Sequence, residues 1–233
     1  MFDPSSRGRL TRRDLNRFPT DRLFDRIGRA VCEAGCLPRK ELYEAWEVAR
    51  RVRRLWRGGR VVDLGGGHGL LAQILLLLDD SSRSAVVVDR TVPPSAPRVH
   101  AALVRTWPRL AGRVAFEARD VERAHIRVGD LVVSSHACGD LTDCVLGKAL
   151  DAGARVAVLP CCHNLDVGET AGLDGWVDAA LAIDIVRAMR LRQRGYRTWT
   201  QTIPLAITTK NRLLLGAPAP FVDATRQGGR PGR

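Results

Sequence analysis

The sequence has 233 residues, of which 45% are hydrophobic and 27% charged, with a net charge of +12 and six cysteines. That is enough chain for one α/β domain with a small appendage and too little for two full catalytic domains. Apolar runs such as Ile74 to Leu78 fall far short of the roughly 20 residues of a membrane helix, and the polar start from Met1 to Leu10 lacks the apolar core of a secretory signal; membrane, secreted and fibrous classes are therefore set aside, and the cysteines read as thiols in a reducing cytoplasm.

The positive charge is almost all arginine, since only Lys40, Lys148 and Lys210 are lysines. Such a skew reflects G+C-rich coding as readily as function, so position is more informative than count. Arg7, Arg9, Arg12, Arg13, Arg17, Arg22, Arg26 and Arg29 crowd the start, and Arg50, Arg51, Arg53, Arg54, Arg57 and Arg60 form a second cluster. Both clusters permit contact with RNA phosphates, and both are equally compatible with a solvated basic face.

In chain order, residues 1–57 have helical texture and are expected to form a helical N-terminal extension. Leu23, Phe24, Ile27, Val31 and Ala34 lie at helical spacing up to the break at Cys36-Leu37-Pro38. Leu42, Ala45, Trp46, Ala49, Val52 and Leu55 then trace the apolar stripe of a second helix, closed by Gly58-Gly59. Residues 58–216 alternate short β-rich runs with helical ones, the texture of βαβ units. Strands are expected at 60–64, 85–89, 114–118, 130–134, 155–159, 198–207 and 212–216, and helices at 70–78, 100–107, 142–151 and 175–193. The last two strands are joined by a connection too short for a parallel crossover, so the final strand is expected to run antiparallel. Residues 217–233, rich in Gly, Pro and Arg, are expected to be a disordered tail.

The sharpest motif is Val61-Val62-Asp63-Leu64-Gly65-Gly66-Gly67-His68-Gly69, an apolar strand that ends in an acid and a glycine turn opening a helix. Glycines let a backbone approach a ligand closely. A carboxylate at Asp63 would repel the pyrophosphate of a dinucleotide but attract the ammonium and sulfonium of S-adenosylmethionine. Asp89, ending the second strand, is placed to accept the ribose hydroxyls, and Asp120, just after the third, the adenine amino group. Asp63, Gly65, Gly67, Gly69, Asp89 and Asp120 are therefore the expected cofactor-binding set, with His68 directed to solvent or to the methionyl part.

This arrangement resembles the class I S-adenosylmethionine-dependent methyltransferases over about Arg60 to Gly216, which implies a Rossmann-like, seven-stranded α/β sheet and S-adenosylmethionine as cofactor. His136-Ala137-Cys138-Gly139, with Thr142-Asp143, and Pro160-Cys161-Cys162 are similar to a methyltransferase family that includes tRNA 2′-O-ribose methyltransferases acting near the acceptor end. The resemblance, with the Arg-rich helices, makes RNA the first choice of acceptor. The expected catalytic set is His136, Asp143, Cys138 and Cys161. If the fourth and fifth strands are neighbours, His136, Cys138, Cys161, Cys162 and His163 converge beside the transferred methyl group. Four roles stay open for them: packing as small hydrophobes, shaping an acceptor pocket in which His136 or Asp143 takes a proton, holding zinc, and acting as a cysteine nucleophile. The adjacency of Cys161 and Cys162 is poor for tetrahedral coordination, so no metal is expected.

Overall fold

The computed structural model describes residues 3–219 and forms a three-layer α/β/α sandwich. Helices α1 (Leu23–Ala34) and α2 (Arg39–Leu55) are followed by strand β1 (Val61–Leu64), helix α3 (Leu70–Leu78), strand β2 (Ala85–Asp89), helix α4 (Ser95–Thr106) and strand β3 (Val114–Ala118). Strand β4 (Leu131–Ser134), helix α5 (Asp140–Ala152), strand β5 (Arg155–Val158), helix α6 (Ala179–Gln193) and strands β6 (Tyr196–Thr202) and β7 (Arg212–Pro218) complete the chain. The sheet order is β3-β2-β1-β4-β5-β7-β6. All neighbours are parallel except around β7, which runs antiparallel to both β5 and β6, as the short final connection requires.

The central strands β1, β4 and β5 are buried along their whole length, as strands covered by helices on both faces must be. Their side chains alternate between two cores. Val61, Val87, Val133, Ala157 and Leu215 face helices α1 to α4, whereas Val62, Val86, Val132, Val156 and Leu214 face α5. The helical extension shares the first of these cores: Phe18, Ile27, Leu42, Val48 and Trp56 pack in one cluster with Leu70, Ile74 and the sheet. Trp56, just past α2, meets Trp199 of β6 edge to face at 5.6 Å. Arg53 of α2 is buried and contacts Asp79 at the end of α3, Nη1 to Oδ2, at 3.0 Å.

Several boundaries differ from the sequence reading, among them the start of α6 at Ala179 rather than 175. Helix α4 begins at Ser95 rather than 100, because Pro94 supplies a fixed φ at its start. Strand β6 covers 196–202 and stops before Ile203-Pro204, where proline has no N–H for the ladder. Of the tail expected from residue 217, Ala217 and Pro218 are part of β7 and pair with Arg197 and Tyr196; residues 220–233 lie outside the described residues. Among the described residues no helix is long and apolar enough to cross a membrane.

Candidate active site

The glycine turn between β1 and α3 lies at the carboxyl end of the parallel strands, where ligands of open α/β sheets bind. Gly69 initiates α3 at φ 70°, and a Cβ there would lie 2.8 Å from Val87 and 2.9 Å from Phe116. Only glycine fits. A Cβ at Gly66 would lie 2.6 Å from the Asp63 carboxyl carbon, so the turn closes directly over that side chain.

Asp63 lies within β1. It pairs with Val87 within the strand ladder rather than capping the strand, and is 1% exposed. Neither carboxylate oxygen has a hydrogen-bond partner. Burial pushes its pKa up to about 7 against the opposing influence of the nearby Ala72 N–H, and the Asp89 charge adds to the rise. An unpaired buried carboxylate is costly. Ser134 Oγ on the adjacent strand β4 is also buried without a partner, close to Gly65. These orphaned groups beneath a glycine cradle fit a cationic ligand lying over the turn, and S-adenosylmethionine has that chemistry.

Asp89 ends β2 half-buried and accepts the Gly67 N–H at 2.9 Å, so it shapes the turn as well as facing the cleft. Asp120 lies two residues past β3, beside Arg90 (Nε to Oδ1 3.4 Å), in an open depression of about 500 Å³ with Arg119 and Arg123. The two acids follow neighbouring parallel strands.

His68 does not face solvent. Its Nε2 lies 2.6 Å from Glu41 Oε2 of α2, while Nδ1 accepts the Leu70 N–H at 3.2 Å, which makes Nε2 the protonated nitrogen. Burial alone would raise the Glu41 carboxyl, but His68, His136 and Lys40 together hold it below its usual range. His136 is within electrostatic reach of this group: burial pulls its pKa down, with Glu41 opposing and His68 and Lys40 assisting. The sequence reading missed Glu41 and Ser134. Ser134 was marked only by a polar residue ending an apolar strand, and Glu41 carried no local signal.

Of the five residues expected to converge, the structure gathers three. The sulfurs of Cys138, Cys161 and Cys162 all lie within 4.8 Å of one another. His163 instead turns away, buried, with Nε2 2.7 Å from Asp184. Burial pushes the Cys138 and Cys161 thiols up, and for Cys161 its two sulfur neighbours reinforce the rise. A cysteine nucleophile needs the opposite shift, so the rise disfavours that role for Cys138 and Cys161. Asp143 lies against two arginines of α6. Arg187 donates to it at 2.6 Å and Arg190 at 3.1 Å, so both its oxygens are held in an arginine clamp.

Many of the clustered arginines are tied within the fold. Arg12 pairs with Glu33, Arg29 with Asp21, Arg50 and Arg51 with Glu47, Arg53 with Asp79 and Arg60 with Asp130. Arg26 stacks over Trp107.

A family model described as a methyltransferase domain matches residues 40–165. No curated protein matches the chain. Among solved structures, the chain is similar to an O-methyltransferase family protein from Burkholderia thailandensis (17% identical, covering 91% of this chain and 64% of that one, TM-score 0.50). It is also similar to the pyocyanin biosynthetic protein PhzM (20% identical, 89% and 61% covered, TM-score 0.50). A third is the mitomycin 7-O-methyltransferase MmcR (19% identical, 88% and 60% covered, TM-score 0.50). The chain thus spans about three fifths of the length of these structures, and the likeness at such identity is one of fold.

Proposed function

The chain belongs to the methyltransferase domain family, and from that premise we propose that it transfers a methyl group from S-adenosylmethionine to a nucleophilic acceptor in RNA. The observation that carries the donor assignment is the unpartnered carboxylate of Asp63 buried beneath the glycine turn. Bound S-adenosylmethionine supplies an electrophilic methyl carbon activated by the sulfonium. Asp63 holds negative charge under that cation, Asp89 keeps the turn in place through Gly67 and offers its remaining acceptor capacity to ribose hydroxyls, and Asp120 faces the adenine side. His136 is neutral at physiological pH because burial lowers its pKa, so its imidazole is free to take the proton of the attacking group. The His136-to-Asp143 and Pro160-Cys161-Cys162 segments, similar to those of tRNA 2′-O-ribose methyltransferases, support RNA as acceptor. So do the arginines of the N-terminal extension that remain exposed, Arg7, Arg22 and Arg54 among them.

Asp89→Ala is expected to weaken donor binding by about 1.5–3 kcal/mol, because charge-assisted hydrogen bonds are lost. Asp89→Asn, which keeps an oxygen for the Gly67 N–H, should lose less. Titration calorimetry of both variants checks this, and equal affinity for all three proteins would exclude Asp89 from the site.

The acceptor is tested by incubating the protein and a labelled methyl donor with total RNA, total protein and small metabolites from cells lacking the gene. Label is expected in RNA, and is expected to be lost in His136→Ala with donor binding retained. The rate should rise with pH and level off at a midpoint below the ordinary histidine value of 6.5. Label in protein or metabolites would exclude RNA as the acceptor, and no label despite donor binding would exclude catalysis.

A further inference from the structure

The loops that follow β4 and β5 are fastened to each other and to the elements behind them. The Gly139 N–H donates to the Cys162 carbonyl at 2.9 Å, and the Leu159 N–H to the Ser134 carbonyl at 2.9 Å. Thr142 Oγ1 donates to the Ala137 carbonyl at 2.6 Å, closing the first loop onto the start of α5. From α6, the buried Arg187 reaches the Gly139 carbonyl at 3.2 Å. Asp184, also on α6, receives His163 at 2.7 Å and Arg212 of β7 at 2.7 Å. The backbone beside each of the three clustered cysteines is thus held from at least one side.

We propose that Cys138, Cys161 and Cys162 form a zinc site of three thiolates, with its fourth position open to solvent. Tetrahedral zinc with bonds of about 2.3 Å to sulfur places its sulfurs about 3.8 Å apart. The three sulfurs already lie within 4.8 Å of one another, so small rotations of the side chains complete the geometry. The adjacency of Cys161 and Cys162, which argued against metal in the sequence, is not an obstacle here, because both sulfurs approach Cys138 despite their neighbouring backbones. Three soft thiolates with no carboxylate among them favour zinc over magnesium or calcium. On binding, each thiol gives up its proton to solvent and the sulfur–hydrogen bond is replaced by a sulfur–zinc bond. Three thiolates on one dication leave a single net negative charge. Cys138 and Cys162 are exposed, so the remaining position is accessible, as in sites that bind a water or an exogenous ligand. His163 is outside the donor set because it is not among the residues whose ligand atoms gather within 4.8 Å of one another. The site stands on the loop geometry and does not depend on which acceptor is methylated.

The test uses the full chain, reduced, stripped with chelator and titrated with cobalt(II). The expected result is one cobalt per chain, with a sulfur-to-cobalt charge-transfer band and the visible bands of tetrahedral cobalt, bleached by zinc. Cys138→Ser, Cys161→Ser and Cys162→Ser should each diminish the charge-transfer band and weaken binding by about tenfold or more. Cys36→Ser and Cys144→Ser should change neither. Cobalt bound without the charge-transfer band, or a full band in the three cluster variants, would overturn the proposal. Alkylation of the unmutated chain gives a readout that does not depend on variants folding. With zinc present, peptide mass spectrometry should show Cys138, Cys161 and Cys162 protected and Cys36 and Cys144 labelled as before. Labelling of the three cluster cysteines that zinc does not change would equally overturn it.

Discussion

Without ligand, the chain is expected to lose stability as pH rises from about 4 to about 7, and Asp63→Asn is expected to abolish most of that loss. The Asp63 carboxyl titrates near 3.8 in an unfolded chain, but burial raises it to about 7 in the fold. Between those values the unfolded chain has released this proton and the folded chain still holds it. The folded state therefore binds more protons, stability falls with rising pH, and the penalty is complete above about pH 7. A displacement of this size corresponds to about 4 kcal/mol, reduced to the extent that the site relaxes around the charge. His136, whose pKa is lowered, acts in the opposite sense, so the difference between wild type and Asp63→Asn is the informative quantity. Urea unfolding at a series of pH values supplies it, and parallel profiles for the two proteins would refute a strained Asp63. The same residue ties the donor to pH. Cationic S-adenosylmethionine favours the ionised carboxylate, so binding below neutrality should release a proton, seen as a buffer-dependent binding enthalpy that Asp63→Asn lacks.

Arg53→Met is expected to cost about 3–5 kcal/mol of stability, the range for removing one partner of a buried ion pair. Arg53 and Asp79 have side chains 3% and 5% exposed and contact each other at 3.0 Å. Arg53 also donates to the Leu75 carbonyl at 3.2 Å and to Ser82 Oγ at 2.8 Å. Without it, Asp79 keeps hydrogen bonds from the Gly58 N–H and Ser81 but has lost the cation buried beside it. Arg53→Met with Asp79→Leu should recover much of the loss, since replacing both charges removes the uncompensated one. Denaturation followed by tryptophan fluorescence distinguishes these outcomes. It also bears on the helical extension: we propose that the extension and the sheet unfold as one unit, so the fluorescence of Trp46 and Trp56 should change in the same transition as the far-ultraviolet signal. A separate early transition would contradict that.

The alternation of strands and helices and the reversed last strand were legible because they follow from local texture and one short connection. Asp89 and the glycine turn were legible for the same reason, since both are contiguous with the strands that place them. The burial of Asp63 was not legible, because it is set by the strand partner Val87 and by the close approach of Gly66 to the carboxyl group. The directions of His136, His163 and Asp143 were not legible, because their surroundings are set by Glu41, Asp184 and Arg187 on other elements. The pairing of the clustered arginines was not legible for the same reason. Charge is visible in a sequence, but the acids that neutralise it, Asp79 for Arg53 and Asp130 for Arg60, are distant in the chain.

The placement of β7 between β5 and β6 has a consequence for synthesis on the ribosome. Strand β5 is complete as soon as residue 158 has emerged, yet its free edge is covered only when Leu214, Leu215 and Gly216 arrive. During that interval the nascent sheet presents an apolar strand with unpaired backbone groups, the kind of edge that recruits foreign strands. Helix α6 and β6 are both made before β7, so neither can settle in its final place until the last strand inserts between β5 and β6. Folding of this half of the sheet is thus deferred until β7 has been made, and holdase chaperones that recognise exposed strands would be expected to act in that interval.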